Sequence, residues 1–293
     1  MHFRASAART VAIGITLMAA LFVSTPGCVR AAENIAGKDI IFNGTVPMNA
    51  YLHETPGPSG TTHIDMWEVH NGRVVTAYDI DMTKIMHMIV VSDDLVDFRH
   101  VHPVLQSNGH LDIDLNLPQR QGGYHIYIDG LPHGIGRQVF RFDLPSGSSV
   151  APARHLHPPG GTVVVGPYTV TIDPTAVPIG EISTVSVRIL KNGRPARDLH
   201  PYLGVMAHGV FIGVKDLAYM HAHGMSEAML NSANSNDCGD SMMMAMTPMP
   251  PGLNIGNEFE FQILAPSAQP YDFWLQFVGG KTVYTAPFLV TTI

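Results

Sequence analysis

Asn71-Gly72-Arg73, Met86-His87 and Phe98-Arg99-His100-Val101-His102 return 121 residues later as Asn192-Gly193-Arg194, Ala207-His208 and Tyr219-Met220-His221-Ala222-His223. The offset holds, with no net insertion, from the Asn-Gly pair through the last histidine, so the chain reads as two tandem copies of one domain. Past the histidines the copies diverge. Gly123-Tyr124-His125-Ile126-Tyr127 still answers Pro270-Tyr271-Asp272-Phe273-Trp274, and Gln138-Val139-Phe140-Arg141-Phe142 answers Ala286-Pro287-Phe288-Leu289-Val290.

The local patterns are those of strands. Thr62 to Val69 and Ser183 to Leu190 run into the two Asn-Gly pairs, which tolerate positive φ at both central turn positions and mark tight hairpins. His87 to Val91 and Val210 to Val214 are short β-rich runs, and Leu111 to Leu117 and Phe259 to Leu264 alternate as half-buried strands do. No helical stripe of useful length occurs outside the N-terminal segment. With 28 Gly and 22 Pro to supply turns, the expectation is an all-β chain of two tandem immunoglobulin-like β-sandwich domains. Their boundaries fall at 33–147 and 163–293, with a linker over 148–162 in a stretch rich in Ser, Pro, Ala and Gly.

Charged residues make up 14% of the chain, against roughly 25% in an average soluble domain. The formal charge of −7 and the lack of any Lys/Arg run exclude a nucleic-acid surface. Residues 1–31 read as a secretory signal peptide: Arg4 and Arg9, an apolar run from Val11 to Val23, Pro26 and Gly27, and a Val29-Arg30-Ala31 cleavage site. Its removal leaves a net charge of −10. The mature protein is then periplasmic or secreted, with no membrane span. Thr25-Pro26-Gly27-Cys28 is also similar to a lipoprotein cleavage box, which would leave a lipid anchor at Cys28. Cys28 and Cys238 are the only cysteines, so loss or lipidation of the first leaves Cys238 as a lone thiol.

Histidine and methionine stand out, with 16 of each. His100-x-His102 and His221-x-His223 place two rings on one face of an extended segment, because side chains alternate with period two. His87 and His208 each precede their pair by 13 residues, a spacing that suits a strand, a tight loop and a returning strand. If the register pairs His87 with His102, the rings are cross-strand neighbours, and three imidazoles on one patch suit Cu(II) or Zn(II). A one-residue slip would turn His87 away. Histidines that tie loops together by hydrogen bonds would also be kept in both copies, so that reading stays open. A metal reading requires the three rings of each copy to converge to nitrogen separations of about 3–4 Å. Met86 and Met88 share the strand face opposite His87 and belong to the core. His155-x-His157, in the linker, has no third partner and reads as solvated.

Copy two differs after its H-x-H. Met225, Met229, Cys238, Met242, Met243, Met244, Met246 and Met249 crowd into 225–249 among Asn, Ser, Asp and Gly, a composition that reads as a long polar loop. Thioethers and a thiolate are soft donors that prefer Cu(I). The alternatives are loosely packed fillers or a surface for a protein partner.

Lys84-Ile85-Met86-His87-Met88-Ile89-Val90-Val91, Asp94-Leu95 and Phe98-Arg99-His100-Val101-His102-Pro103, with their second-copy counterparts, resemble a group of largely uncharacterised bacterial exported proteins associated with heavy metals or copper. The resemblance implies β-sandwich domains and a metal link, and assigns no reaction. This chain departs from the pattern at Gly224, where proline usually follows the second H-x-H, and in its methionine insertion.

The expected function is therefore a periplasmic copper-binding protein with a buffering, chaperone or resistance role and copper or zinc as its ion. Its sites would be His208, His221 and His223 with the Met/Cys loop, and separately His87, His100 and His102. A periplasmic copper-handling protein would be its partner. The alternative is an extracytoplasmic interaction or structural protein without metal. An enzyme ranks last, since G-x-S-x-G, H-E-x-x-H and paired carboxylates are all missing.

Overall fold

A computed structural model of the chain describes residues 34–39, 46–145, 152–232 and 247–293. The segment 1–31 expected to be a signal peptide, with Cys28, and Cys238, Met242, Met243, Met244 and Met246 lie outside these residues.

The described chain is nearly all antiparallel β-structure in four sheets. In the first half, one sheet is ordered Ile35–Ala36, Asn49–Pro56, Thr62–His70, Leu111–Leu115, Val104–Leu105. The other runs Lys38–Asp39, Gln138–Leu144, Tyr124–Pro132, Met86–Ser92, Phe98–Val101. The second half repeats the plan. Thr162–Val165, Tyr168–Asp173, Ile182–Lys191 and Glu258–Leu264 form one sheet, and Thr282–Thr292, Tyr271–Gly279, His208–Gly213 and Tyr219–His223 form the spine of the other. Each half fills the space between its sheets with its own apolar cluster, around Leu52, Ile64, Met88 and Phe140 in the first and Val170, Val187, Phe211 and Phe273 in the second.

Met86–Ser92 and His208–Gly213 are buried at every residue, which a half-buried strand cannot be. The cause lies in which faces they cover. Met86, Met88 and Val90 point into their own sandwich, while Ile89 and Val91 point out of it and join Tyr127, Leu95, Val210, Ile212, Leu217 and Trp274 in a third cluster. That cluster is drawn from both halves, so the two inner sheets pack face to face and residues 32–293 form one compact unit. Aromatic rings repeat crosswise over this seam: Phe98 stacks on Trp274 at 4.7 Å, and Tyr219 stacks on Tyr127 at 4.9 Å. The Tyr127 hydroxyl donates to the Leu217 carbonyl oxygen at 2.9 Å. Tyr127→Phe would strand that buried acceptor, and chemical denaturation should show a loss of about 1–2 kcal/mol. An unchanged midpoint would mean the hydroxyl contributes nothing to joining the halves.

The turns also repeat. Asn71 and Gly72 have φ of 50° and 74°, and Asn192 and Gly193 have 49° and 77°, the left-handed pair that a two-residue hairpin needs. Leu95 and Leu217 hold φ of 60° and 61°, a strained region for leucine worth roughly 1–2 kcal/mol each. Both side chains are buried in the seam, and that burial offsets the strain.

The linker is docked over much of its described length. Arg154 donates to the Asp93 carboxylate at 2.9 Å and to the Val214 carbonyl oxygen at 2.6 Å, touching both halves. His157, expected in solvent, is buried: its backbone N–H donates to Asp272 at 3.0 Å and its ring packs on Trp274. His155 is exposed, as expected. The segment read as a polar loop begins as structure. Met225 is buried with its backbone paired to Glu260, a short α-helix follows at Glu227–Ser232, and Met249 packs against the second core. No helix among the described residues is long and apolar enough to cross a membrane.

Candidate metal centre

The alternation that sends Met86 and Met88 inward sends His87 out of the sandwich, onto the face that meets the other half. His208 leaves its strand the same way. The returning strands keep the register required of them. In the second half His208 lies directly opposite His223, and in the first the ladder Met88↔Val101 and Ile89↔His100 is the same register. Each half thus presents three imidazoles on one patch, with ring centres 4.9–5.2 Å apart in the first and 4.5–5.2 Å in the second.

The two patches are not separate. One ring nitrogen from each of His87, His100, His208 and His221 lies within 4.8 Å of the other three. The expectation of one three-histidine site per copy gives way to a single shared cluster with two rings from each half, because the inner sheets pack against one another. His102 and His223 flank it, 5.1 Å from His87 and 4.5 Å from His208 between ring centres.

The shape of the cluster is informative. An ion bound about 2.0–2.1 Å from a ring nitrogen sits about 3.2 Å from the ring centre, so four imidazoles around it in a tetrahedron have centres about 5.2 Å apart. The six centre-to-centre separations among His87, His100, His208 and His221 run from 5.0 to 5.6 Å. The ring nitrogens are less regular: His87 Nδ1 and His100 Nε2 are 2.9 Å apart, as are His208 Nδ1 and His221 Nε2. Tetrahedral ligation asks for about 3.3 Å between nitrogens. Two of the three rings in each copy thus meet at hydrogen-bond distance, and the four nitrogens together lie within 4.8 Å, a looser grouping than the convergence expected for three rings of one copy.

Residues that the sequence reading had not singled out set the ring orientations. His100 Nδ1–H donates to Gln276 Oε1 at 2.9 Å, and His221 Nδ1–H donates to Asp129 Oδ2 at 3.3 Å. Each ring is thus held by the opposite half, and its Nε2 lone pair faces the cluster. Asp129 and Gln276 are matched positions, opposite His87 and His208 in their ladders. Asp129 also accepts from the Tyr219 hydroxyl at 3.2 Å and from Arg137, whose other amino group reaches Asp81 at 2.7 Å. The signal for both was in the sequence: they lie two residues beyond Tyr127 and Trp274, which the weaker repeat had already aligned.

His87 and His208 are fully buried. Their Nε2 atoms have no hydrogen-bond partner, and Asp81 is 4.0 Å from that of His87, too far to supply one. Burial, reinforced by the neighbouring imidazoles, holds the basicity of His87 and His208 well below the usual histidine range and brings His100 down to about 3. His102 falls to about 4 through burial and the Lys84 charge. Burial alone would raise the Asp129 carboxyl, but Arg137 and His221 reverse that and hold it below the usual carboxylate range. His87, His100 and His208 are accordingly held as neutral imidazoles, and with His221 beside its buried carboxylate they form a group that could hold a metal ion through nitrogen.

Residues 162–293, the span of the second half, match a domain family of unknown function, DUF8832. No curated protein matches the chain.

Proposed function

We propose that this chain is an exported metal-binding protein that holds one transition-metal ion, copper foremost, between its two halves. The near-regular tetrahedron of ring centres, 5.0–5.6 Å on every edge, carries the reading. Imidazole serves both copper and zinc, and a given nitrogen-donor set binds Cu(II) more tightly than Zn(II). The Met/Cys run beyond Met225 adds soft donors for Cu(I) close in sequence to His223. Four ligands without an open position favour retention of the ion over turnover, which suits a buffering or resistance role. Export rests on the signal-like residues 1–31.

The test is titration of the mature chain with Cu(II), Cu(I) and Zn(II) against a competing chelator. One ion per chain is expected, lost when His87 and His208 are both changed to Ala. Two independent ions, or binding untouched by that double change, would sink the reading.

The His87–His100 and His208–His221 hydrogen bonds favour a second reading, in which the imidazoles join the halves without metal. It predicts that chelators leave the melting temperature unchanged while histidine variants lower it.

A further inference from the structure

The two ligand pairs are related by the repeat, but the groups behind them differ. His100 is backed by a neutral carboxamide, Gln276, and His221 by a carboxylate, Asp129. Asp129 is 2% exposed, and such a group is kept ionised inside a protein only if its surroundings hold the charge. Arg137 does so, and it is shared with a second buried carboxylate, Asp81. The positions matched to these carboxylates in the other half are Gln276 and Tyr202, both neutral. One side of the cluster therefore carries anionic charge that the other lacks.

Resting on the metal reading above, we infer that Asp129 is a positioning residue that makes His221 the strongest donor of the four. A carboxylate accepting the Nδ1–H fixes the tautomer and pushes electron density toward Nε2 more than a carboxamide does, and the same charge offsets that of an incoming cation. Because Asp129 belongs to the first half and His221 to the second, the tuning exists only when both halves are folded together. A merely orienting role would need no charge, as Gln276 demonstrates on the matched ring.

The experiment measures Cu(II) and Zn(II) affinity of the full mature chain, with Cu(II) electron paramagnetic resonance, for the native protein, D129N, D129E and Y219F. D129N keeps shape and acceptor but removes the charge, and should bind about 10–100-fold more weakly with an altered Cu(II) hyperfine pattern. D129E keeps the charge and should lose less. Y219F removes the other hydrogen bond to the same oxygen but leaves the charge in place, and should change affinity far less than D129N. D129N with native affinity and spectrum, or D129N and D129E weakened equally, would overturn the inference while leaving the metal site standing. A native chain that binds neither ion would overturn the metal reading itself. The melting temperature of each metal-free variant separates a fold defect from a donor effect: a variant destabilised without any change in affinity assigns Asp129 a structural role only, and that result also overturns the inference.

Discussion

A slight excess of Cu(II) should raise the melting temperature of the chain by roughly 8–16 °C, and a chelator should return it. An ion that binds the folded chain alone adds about 4 kcal/mol when its free concentration stands a thousandfold above its dissociation constant. For a chain of this size each kcal/mol moves the midpoint by roughly 2–4 °C. The unfolded chain, with 16 histidines, will compete for the ion and trim the gain. The more discriminating measurement is the response to substitution. His87→Ala and His208→Ala come from different halves, yet each removes one of four ligands to the same ion. Either alone should abolish most of the shift, and the pair together should do little more. Two separate three-histidine sites would instead lose about half with each change and the rest with both. That additive pattern would rule out a shared centre.

The architecture was legible because the repeat and the strand patterns agree. The Asn-Gly hairpins, the inward Met86 and Met88, and the pairing of His208 with His223 all follow from period-two alternation and turn chemistry. The join between the halves was not legible. Periodicity tells which residues leave a sheet on a given face, but not whether water or another sheet waits there. Nothing in the alternation of His87, Ile89 and Val91 says that the other half covers them, as it does. The clue was that Met86–Ser92 is apolar or histidine on both faces almost throughout, a pattern usual for strands covered on both sides. Histidines expected at two separate sites consequently lie in one cluster that could hold a metal ion, and Asp129 and Gln276 escaped notice because they act on rings of the opposite half. His157 was missed for a similar reason, since its partners Asp272 and Phe288 lie more than a hundred residues away.

The two halves differ at one further matched position, which contributes to the pH dependence of stability. Glu68 faces inward on Thr62–His70 beside Ile64 and Met66 and is fully buried, with the Tyr78 hydroxyl the polar group that eases its burial. The matched position in the second half is Ile189, buried in its own core. Burial pushes the Glu68 carboxyl from its ordinary 4.5 up to about 8. Between those values the folded chain holds a proton on Glu68 that the unfolded chain has released, so the contribution of this side chain falls as pH rises from about 4.5 to about 8, against the opposite trend set by the buried histidines. A shift of that size corresponds to roughly 3–5 kcal/mol lost across the window. Glu68→Gln should remove this contribution while keeping the polar burial, so its stability relative to the native chain should rise with pH. Glu68→Ile should remove it and add apolar burial, so its gain over the native chain is several kcal/mol at pH 8 and much smaller at pH 5. Chemical denaturation at both pH values, with metal chelated throughout, measures the difference. If native and Glu68→Gln curves run parallel from pH 5 to 8, the side chain ionises as it would in water and the packing around it must admit solvent.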